Sequence, residues 1–302
     1  MTTEKVESVC VIPCFNRPEF LSLCLLRIQM ADHWNEVQYL FAVDWGYSQE
    51  IKSVIDAFPA THKHVRFMER HNYGATKQSL NVLDAYRVAV QMVDGLVYMV
   101  EEDVMIARDF FVWHELVHRK EQGIFCSIAT RNNNRIVPVD GNDLEAYYKT
   151  SGDYQSLGVC FKSDVLKYFV LPHITKDYLQ NPVQYCMKEF KRSAIGSAFA
   201  EQDGLIRRIE EECNKEQVYQ ANDGIAFPHV PRAFHAGFYG KNRGKRLTGN
   251  FPQRLEVIKK IIFDDSEMKR VNGKSLHLYE DSRPVNLETP YLNIVHLKQP
   301  QL

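Results

Sequence analysis

Hydrophobic positions in the first hundred residues recur with two alternating periods. Ser8 to Pro13 is a short β-branched run and predicts a strand, and the segment after it sets Phe20, Leu21, Cys24, Leu25 and Ile28 at helical spacing on one face. Together they predict a βα unit. Gln38 to Asp44 predicts a second strand, Gln49 to Phe58 an amphipathic helix, and Val65 to Glu69 a third, shorter strand. Thr76 to Met92 carries Leu80, Leu83, Ala85 and Val88 with no internal Gly or Pro, which predicts a long helix. Gly95 to Val100 is an apolar strand that runs into three consecutive acids. Strands alternating with helices imply a largely parallel sheet covered by helices on both faces. In such sheets ligands sit beyond the carboxyl ends of the strands. The residues after Pro13, Asp44, and Glu101 to Asp103 all lie at those ends.

Beyond about residue 110 the alternation weakens. Gly123 to Ile128 predicts a strand, the run RNNNR at 131–135 a loop, Gly158 to Phe161 a short strand, and Gln202 to Cys213 a charged helix. From residue 231 onward the chain holds 13 Lys+Arg against 7 Asp+Glu. A boundary is expected there, with 1–230 as the nucleotide-binding and catalytic part and 231–302 as a closing loop and basic C-terminal segment. That tail has too few apolar runs for a core of its own.

The 302 residues are 45% hydrophobic, which excludes a disordered chain, and 37 Lys+Arg nearly balance 38 Asp+Glu, which excludes a polybasic binder overall. Apolar stretches fall short of the roughly 18 residues that span a bilayer. Seven cysteines with no CxxC pair fit reduced thiols rather than a disulfide framework or zinc site, and a cytoplasmic setting is expected.

The most informative segment is VYMVEEDVMIARDFF at 97–111. Three carboxylates at the end of a buried strand need a counter-charge. Hard divalent ions such as Mg²⁺ or Mn²⁺ take one or two protein carboxylates and fill the rest of their shell with water and phosphate oxygens. The competing reading is that the acids cap the next segment or face solvent.

These segments resemble the GT-A fold glycosyltransferases, and within them the inverting N-acetylglucosaminyltransferase I group. VIPCFNRPEFLSLCL at 11–25 is similar to that group's opening strand and turn, FAVDWG at 41–46 to its second strand, and VEEDVMIARDFF to its strand, acidic triplet and following element. The resemblance implies a GT-A (Rossmann-like) α/β fold with a mostly parallel sheet and a nucleoside-diphosphate sugar as donor. It assigns Pro13, Cys14, Asn16, Arg17, Asp44 and Glu102 to the nucleotide and Asp103 to a Mn²⁺ or Mg²⁺ ion. Glu102 stands where the family commonly has Asp.

An inverting transfer needs a carboxylate that takes the proton of the acceptor hydroxyl. AEQDGLIRR at 200–208 resembles the family's acidic pair, which makes Asp203 the expected base and Glu201 its fallback; the other reading of Asp203 is a helix cap. The family's aromatic after the base is Gly204 here. GIAFPHVPRAFHAGFYG at 224–240 resembles the closing strand and loop, and puts His235 beside the metal or diphosphate unless it is merely structural.

Lys241, Arg243, Lys245 and Arg246 follow as a solvated run, a diphosphate clamp or a tracking patch for a polyanion. Arg131, Asn132 and Asn133 would meet the donor sugar or acceptor if they are more than loop punctuation. The expected acceptor is a hydroxyl on a glycan or on a hydroxymethylated base in nucleic acid. A sugar nucleotidyltransferase would carry a Gly-rich loop after the first strand, and VIPCFNRPEF has no glycine. A catalytically inactive nucleotide- or glycan-binding module is the remaining alternative.

Overall fold

Pleated alternation sends successive side chains of the first strands into two different cores. In β1 (Ser8–Cys14), Cys10, Ile12 and Cys14 enter one apolar cluster while Val9 and Val11 enter the other. β2 (Gln38–Val43) divides Tyr39, Phe41 and Val43 from Leu40 and Ala42 in the same way. A strand buried on both faces needs near-continuous apolar sequence, which is what these segments have. The structure is a computed structural model and describes residues 7–130, 147–216, 224–229, 231–237 and 248–263.

The remaining strands are β3 (Lys63–Phe67), β4 (Leu96–Met99), β5 (Val104–Ile106), β6 (Cys126–Ile128), β7 (Tyr147–Thr150), β8 (Val159–Lys162), β9 (Ile225–Pro228) and β10 (Ala233–His235). Eight of the ten described strands form one sheet in the order β3-β2-β1-β4-β8-β6-β9-β7. β7 and β8 run against the other six, so the sheet is mostly parallel, as expected. β5 and β10 leave it to form an antiparallel pair.

The described helices are α1 (Pro18–Met30), α2 (Gln49–Ala57), α3 (Lys77–Met92), α4 (Phe110–Lys120), the short α5 (Ser163–Val165), α6 (Lys176–Gln180), α7 (Pro182–Glu189), α8 (Gln202–Lys215) and α9 (Phe251–Phe263). Residues of α1, α2, α4 and α9 fill the cluster on one face of the sheet, and residues of α3 and α5 to α8 fill the cluster on the other. Pro18 opens α1, where a missing N–H costs nothing. Thr76 caps α3, its hydroxyl accepting the Ser79 N–H at 3.3 Å. Each large side chain fully buried this way contributes about 1.5–3 kcal/mol.

Three differences from the pattern reading have physical causes. β3 starts two residues earlier than expected, because as the edge strand it keeps Val65 and Phe67 exposed and so lacks a buried face to mark it. α4 was not predicted: it follows an apolar strand without a Gly or Pro break, and its Phe110, Phe111, Trp113 and Val117 are buried. α9 is amphipathic only toward α1, against which Leu255 and Ile258 pack; Arg254 fastens it by ion pairs to Glu19 and Glu50. Among the described residues no helix is long and apolar enough to cross a membrane.

Candidate active site

β1 and β4 are neighbours, so the turn after β1 and the acids after β4 meet at one sheet edge. Glu102 uses both carboxylate oxygens on that turn, accepting the Phe15 N–H at 2.8 Å and the Arg17 Nε–H at 2.7 Å. The same guanidinium pairs with Asp103 through Nη1. Arg17 is therefore the counter-charge that the buried acids require, and it lies over the Phe20 ring. Burial works against its charge, but Asp103 and Glu102 raise its proton affinity further.

The antiparallel pairing of β5 with β10 sets His235 opposite Val104, which brings its Nε2 to 2.9 Å from Asp103 Oδ2. Burial tends to raise the Asp103 carboxyl, but Arg17 and His235 outweigh it and hold it at about 2. Burial lowers His235, yet the Asp103 contact prevails and raises it. Gly237 crosses directly above this pair, where a Cβ would overlap Asp103 Oδ2 and His235 Nε2. Asp103 Oδ1 is buried without a hydrogen-bond partner.

Glu101 turns toward α8. The Ser156 hydroxyl lies 2.8 Å from Glu101 Oε1 and 3.2 Å from Asp203 Oδ2. Burial, then Asp103 and Asp203, push Glu101 up to about 7, and burial pushes Asp203 up to about 6. Asp203 does not cap its helix; its Oδ1 is buried and unpartnered. Glu201, two residues earlier, is the extended residue just before α8 and faces elsewhere. It accepts from the Thr76 hydroxyl at 2.8 Å and from the Ser79 hydroxyl, at the positive end of α3.

The end of β2 lies beside the end of β1. Asp44 is buried, with Oδ1 unpartnered and Oδ2 3.8 Å from Lys77 Nζ. Burial raises it to about 6 against the pull of Lys77. The Lys77 ammonium lies 3.4 Å from the Phe15 ring centroid and 4.3 Å from that of Trp45, and donates to the Trp45 carbonyl at 2.6 Å. Cys14 is a buried thiol, raised well above its usual range by burial and by Glu102. The Pro13 carbonyl accepts the Glu102 N–H at 3.3 Å, and Asn16 is exposed on the turn.

The structure thus gathers Pro13, Cys14, Asn16, Arg17, Asp44, Glu102, Asp103, Asp203 and His235 at the carboxyl ends of β1, β2 and β4, and turns Glu201 away toward α3. Arg131, Asn132, Asn133, Lys241, Arg243, Lys245 and Arg246 lie outside the described residues. Sequence reading missed Ser156 and Lys77. Lys77, in the first turn of a helix after a loop, carried a positional signal; Ser156, in an irregular stretch, carried none.

Among the described residues no three or more His, Cys, Asp and Glu side chains converge as a metal site. Asp103, with its orphaned Oδ1, and His235 fit a Mn²⁺ or Mg²⁺ ion that takes two protein ligands and draws the others from phosphate and water.

No protein-family model and no curated protein sequence matches this chain. Solved structures do. The S. aureus TarS fragment 1–349 in complex with UDP-GlcNAc superposes with a TM-score of 0.50 at 12% identity, covering 88% of this chain and 68% of that one. This is the GT-A fold. Full TarS aligns over 48% of its own length, so the chain spans about half of that protein. The mannosyltransferase PcManGT from Pyrobaculum calidifontis, with GDP-Man and Mn²⁺, gives 0.44 at 11% identity over 76% of this chain and 59% of its own. The galactosyltransferase LgtC, with donor and acceptor sugar analogues, gives 0.45 at 10% identity over 87% of this chain and 99% of its own. In open α/β sheets ligands sit beyond the carboxyl ends of the strands, and this chain places its buried Asp44, Glu102 and Asp103 there.

Proposed function

We propose that the protein is an inverting glycosyltransferase that moves a sugar from a nucleoside-diphosphate sugar to an acceptor hydroxyl. One observation carries the reading: Asp103, with Arg17 and His235, and a second carboxylate, Asp203, whose Oδ1 is buried without a partner, flank Glu101 at the end of the fourth strand of a GT-A sheet. The motifs at 11–25, 41–46 and 100–111 favour the inverting N-acetylglucosaminyltransferase I group as the nearest chemistry.

Asp44 and the cationic face of Lys77 hold the nucleoside, with Phe15 and Trp45 as apolar walls. Asp103 and His235 hold the divalent cation, which when bound supplies Lewis-acid neutralisation of the leaving diphosphate. Arg17 supplies charge-assisted hydrogen bonds at the same corner. Asp203 Oδ1 takes the proton of the acceptor O–H as that oxygen bonds to the anomeric carbon. The bond from that carbon to the diphosphate breaks, and its electron pair leaves with the nucleotide. Glu102 holds the β1 turn in register for this, and Glu201 braces α3 against α8.

The acceptor is a hydroxyl on a glycan. Residues 231–260 hold 8 Lys+Arg against one Glu, which favours a hydroxymethylated base in DNA as the second reading. The target base would have to leave the stack. Seven buried free thiols support a reducing, cytoplasmic setting.

A panel of UDP- and GDP-sugars with Mn²⁺, read by thermal shift and by nucleoside-diphosphate release, tests the assignment. Asp203→Asn is expected to keep donor binding and lose release, and Asp103→Ala to lose the metal-dependent part of binding. Unchanged donor affinity in Asp103→Ala, measured by calorimetry with Mn²⁺, overturns the metal ligand. For the DNA reading, duplex affinity that does not fall with salt rules it out.

A further inference from the structure

Ser156 stands at 3% exposure between two acids that come from opposite directions, Glu101 at the end of β4 and Asp203 in the first turn of α8. Its hydroxyl carries one proton, so at any moment it donates to one carboxylate only. Its backbone N–H bears on Asp203 as well. The hydroxyl contact falls on Oδ2, and Oδ1 is left buried with no partner.

The loop that carries Ser156 is braced at each end. Gln155 Nε2 donates to Thr130 Oγ1 at 2.8 Å, and the Gly158 carbonyl accepts the Ala129 N–H at 2.8 Å. Gly158 adopts φ +66°, and a Cβ there would lie 2.9 Å from Ala233 Cβ. The Ala129 carbonyl in turn accepts the Arg232 N–H at 2.7 Å, one residue before β10 and its His235. The hydroxyl therefore sits on a fixed platform tied to the strand that places His235.

We infer that Ser156 is the positioning residue of the reaction, holding Asp203 by Oδ2 so that Oδ1 alone points at the acceptor hydroxyl. The inference rests on the glycosyl-transfer reading above. Orientation of a base is worth orders of magnitude in rate while leaving ground-state binding alone. A residue that only filled space would not separate the two.

The test uses the nucleotide sugar that gives the fastest release in the panel, with Mn²⁺ and water as acceptor. Ser156→Ala is expected to lower kcat roughly 10- to 100-fold with donor KM within about twofold, because no interaction with the donor is removed. Ser156→Ala combined with Asp203→Asn is expected to be no slower than Asp203→Asn alone. Thermal melts of each variant report that the fold is kept. Wild-type kcat in Ser156→Ala, a raised KM with kcat unchanged, or multiplicative losses in the double variant overturn the positioning role. No release by the wild type across the panel overturns the transferase reading and this inference with it, whereas release with an indifferent Ser156→Ala overturns the inference alone.

Discussion

Replacing Asp203 with asparagine removes a charge that the fold holds in an unfavourable place. Burial raises this carboxyl from 3.8 to about 6, so the folded state binds its proton more tightly than the unfolded chain does. A group with a raised folded value contributes stability that is fully present below pH 3.8 and is lost as pH rises through about 6. The displacement corresponds to about 3 kcal/mol at about 1.4 kcal/mol per decade, and solvent reaching a partly buried carboxylate reduces this to about 1–3 kcal/mol. Removing the charge also relieves Glu101, which acts in the same direction. Asparagine keeps the shape and does not titrate.

Thermal melts of both proteins at pH 4 and pH 8 measure the effect. The melting temperature of Asp203→Asn relative to wild type is expected to be higher at pH 8 than at pH 4 by roughly 2–6 °C for a chain of this size. Diphosphate release is expected to fall by about 10²–10⁴, the usual worth of a general base. In the wild type, kcat/KM should rise with pH through about 6 and then level, since the base works ionised. The same melting-temperature difference at both pH values would refute the claim that Asp203 is held in a poorly solvated site.

Three substitutions probe the neighbouring geometry. Gly237→Ala puts a Cβ onto Asp103 Oδ2 and His235 Nε2; the expected loss is about 1–3 kcal/mol, with the His235 pKa falling toward its ordinary range by NMR titration. Gly204→Ala drives a Cβ into the Phe199 carbonyl at the start of α8; denaturant unfolding should show a loss of similar size, about 1–3 kcal/mol. Lys77→Met removes the ammonium between Phe15 and Trp45; a loss of about 1–2 kcal/mol is expected, together with changed Trp fluorescence and weaker nucleotide binding.

Gly204 shows why a departure from a family pattern can be structural. The aromatic that the resemblance leads one to expect after the base has no room here, because the Phe199 backbone occupies its Cβ position. Glu102 is similar. The extra methylene relative to Asp lets its carboxylate span the Phe15 amide and the Arg17 guanidinium, so both oxygens are engaged within the protein.

What the sequence determined by itself was everything that depends on near neighbours along the chain. Period-two and helical apolar patterns marked β1, α1, β2, α2, α3 and β4, because a segment buried on one or both faces must repeat that burial locally. The alternation implied a parallel sheet, and the sheet implied that Asp44 and Glu101 to Asp103 share one edge. Only the tertiary structure decided who neutralises whom. Arg17 reaches Asp103 across 86 residues, His235 reaches it across 132, and Ser156 reaches Asp203 across 47. Such contacts are set by strand order and by the β5–β10 pairing, and a hydroxyl in an irregular loop leaves no periodic trace of the carboxylate it will meet.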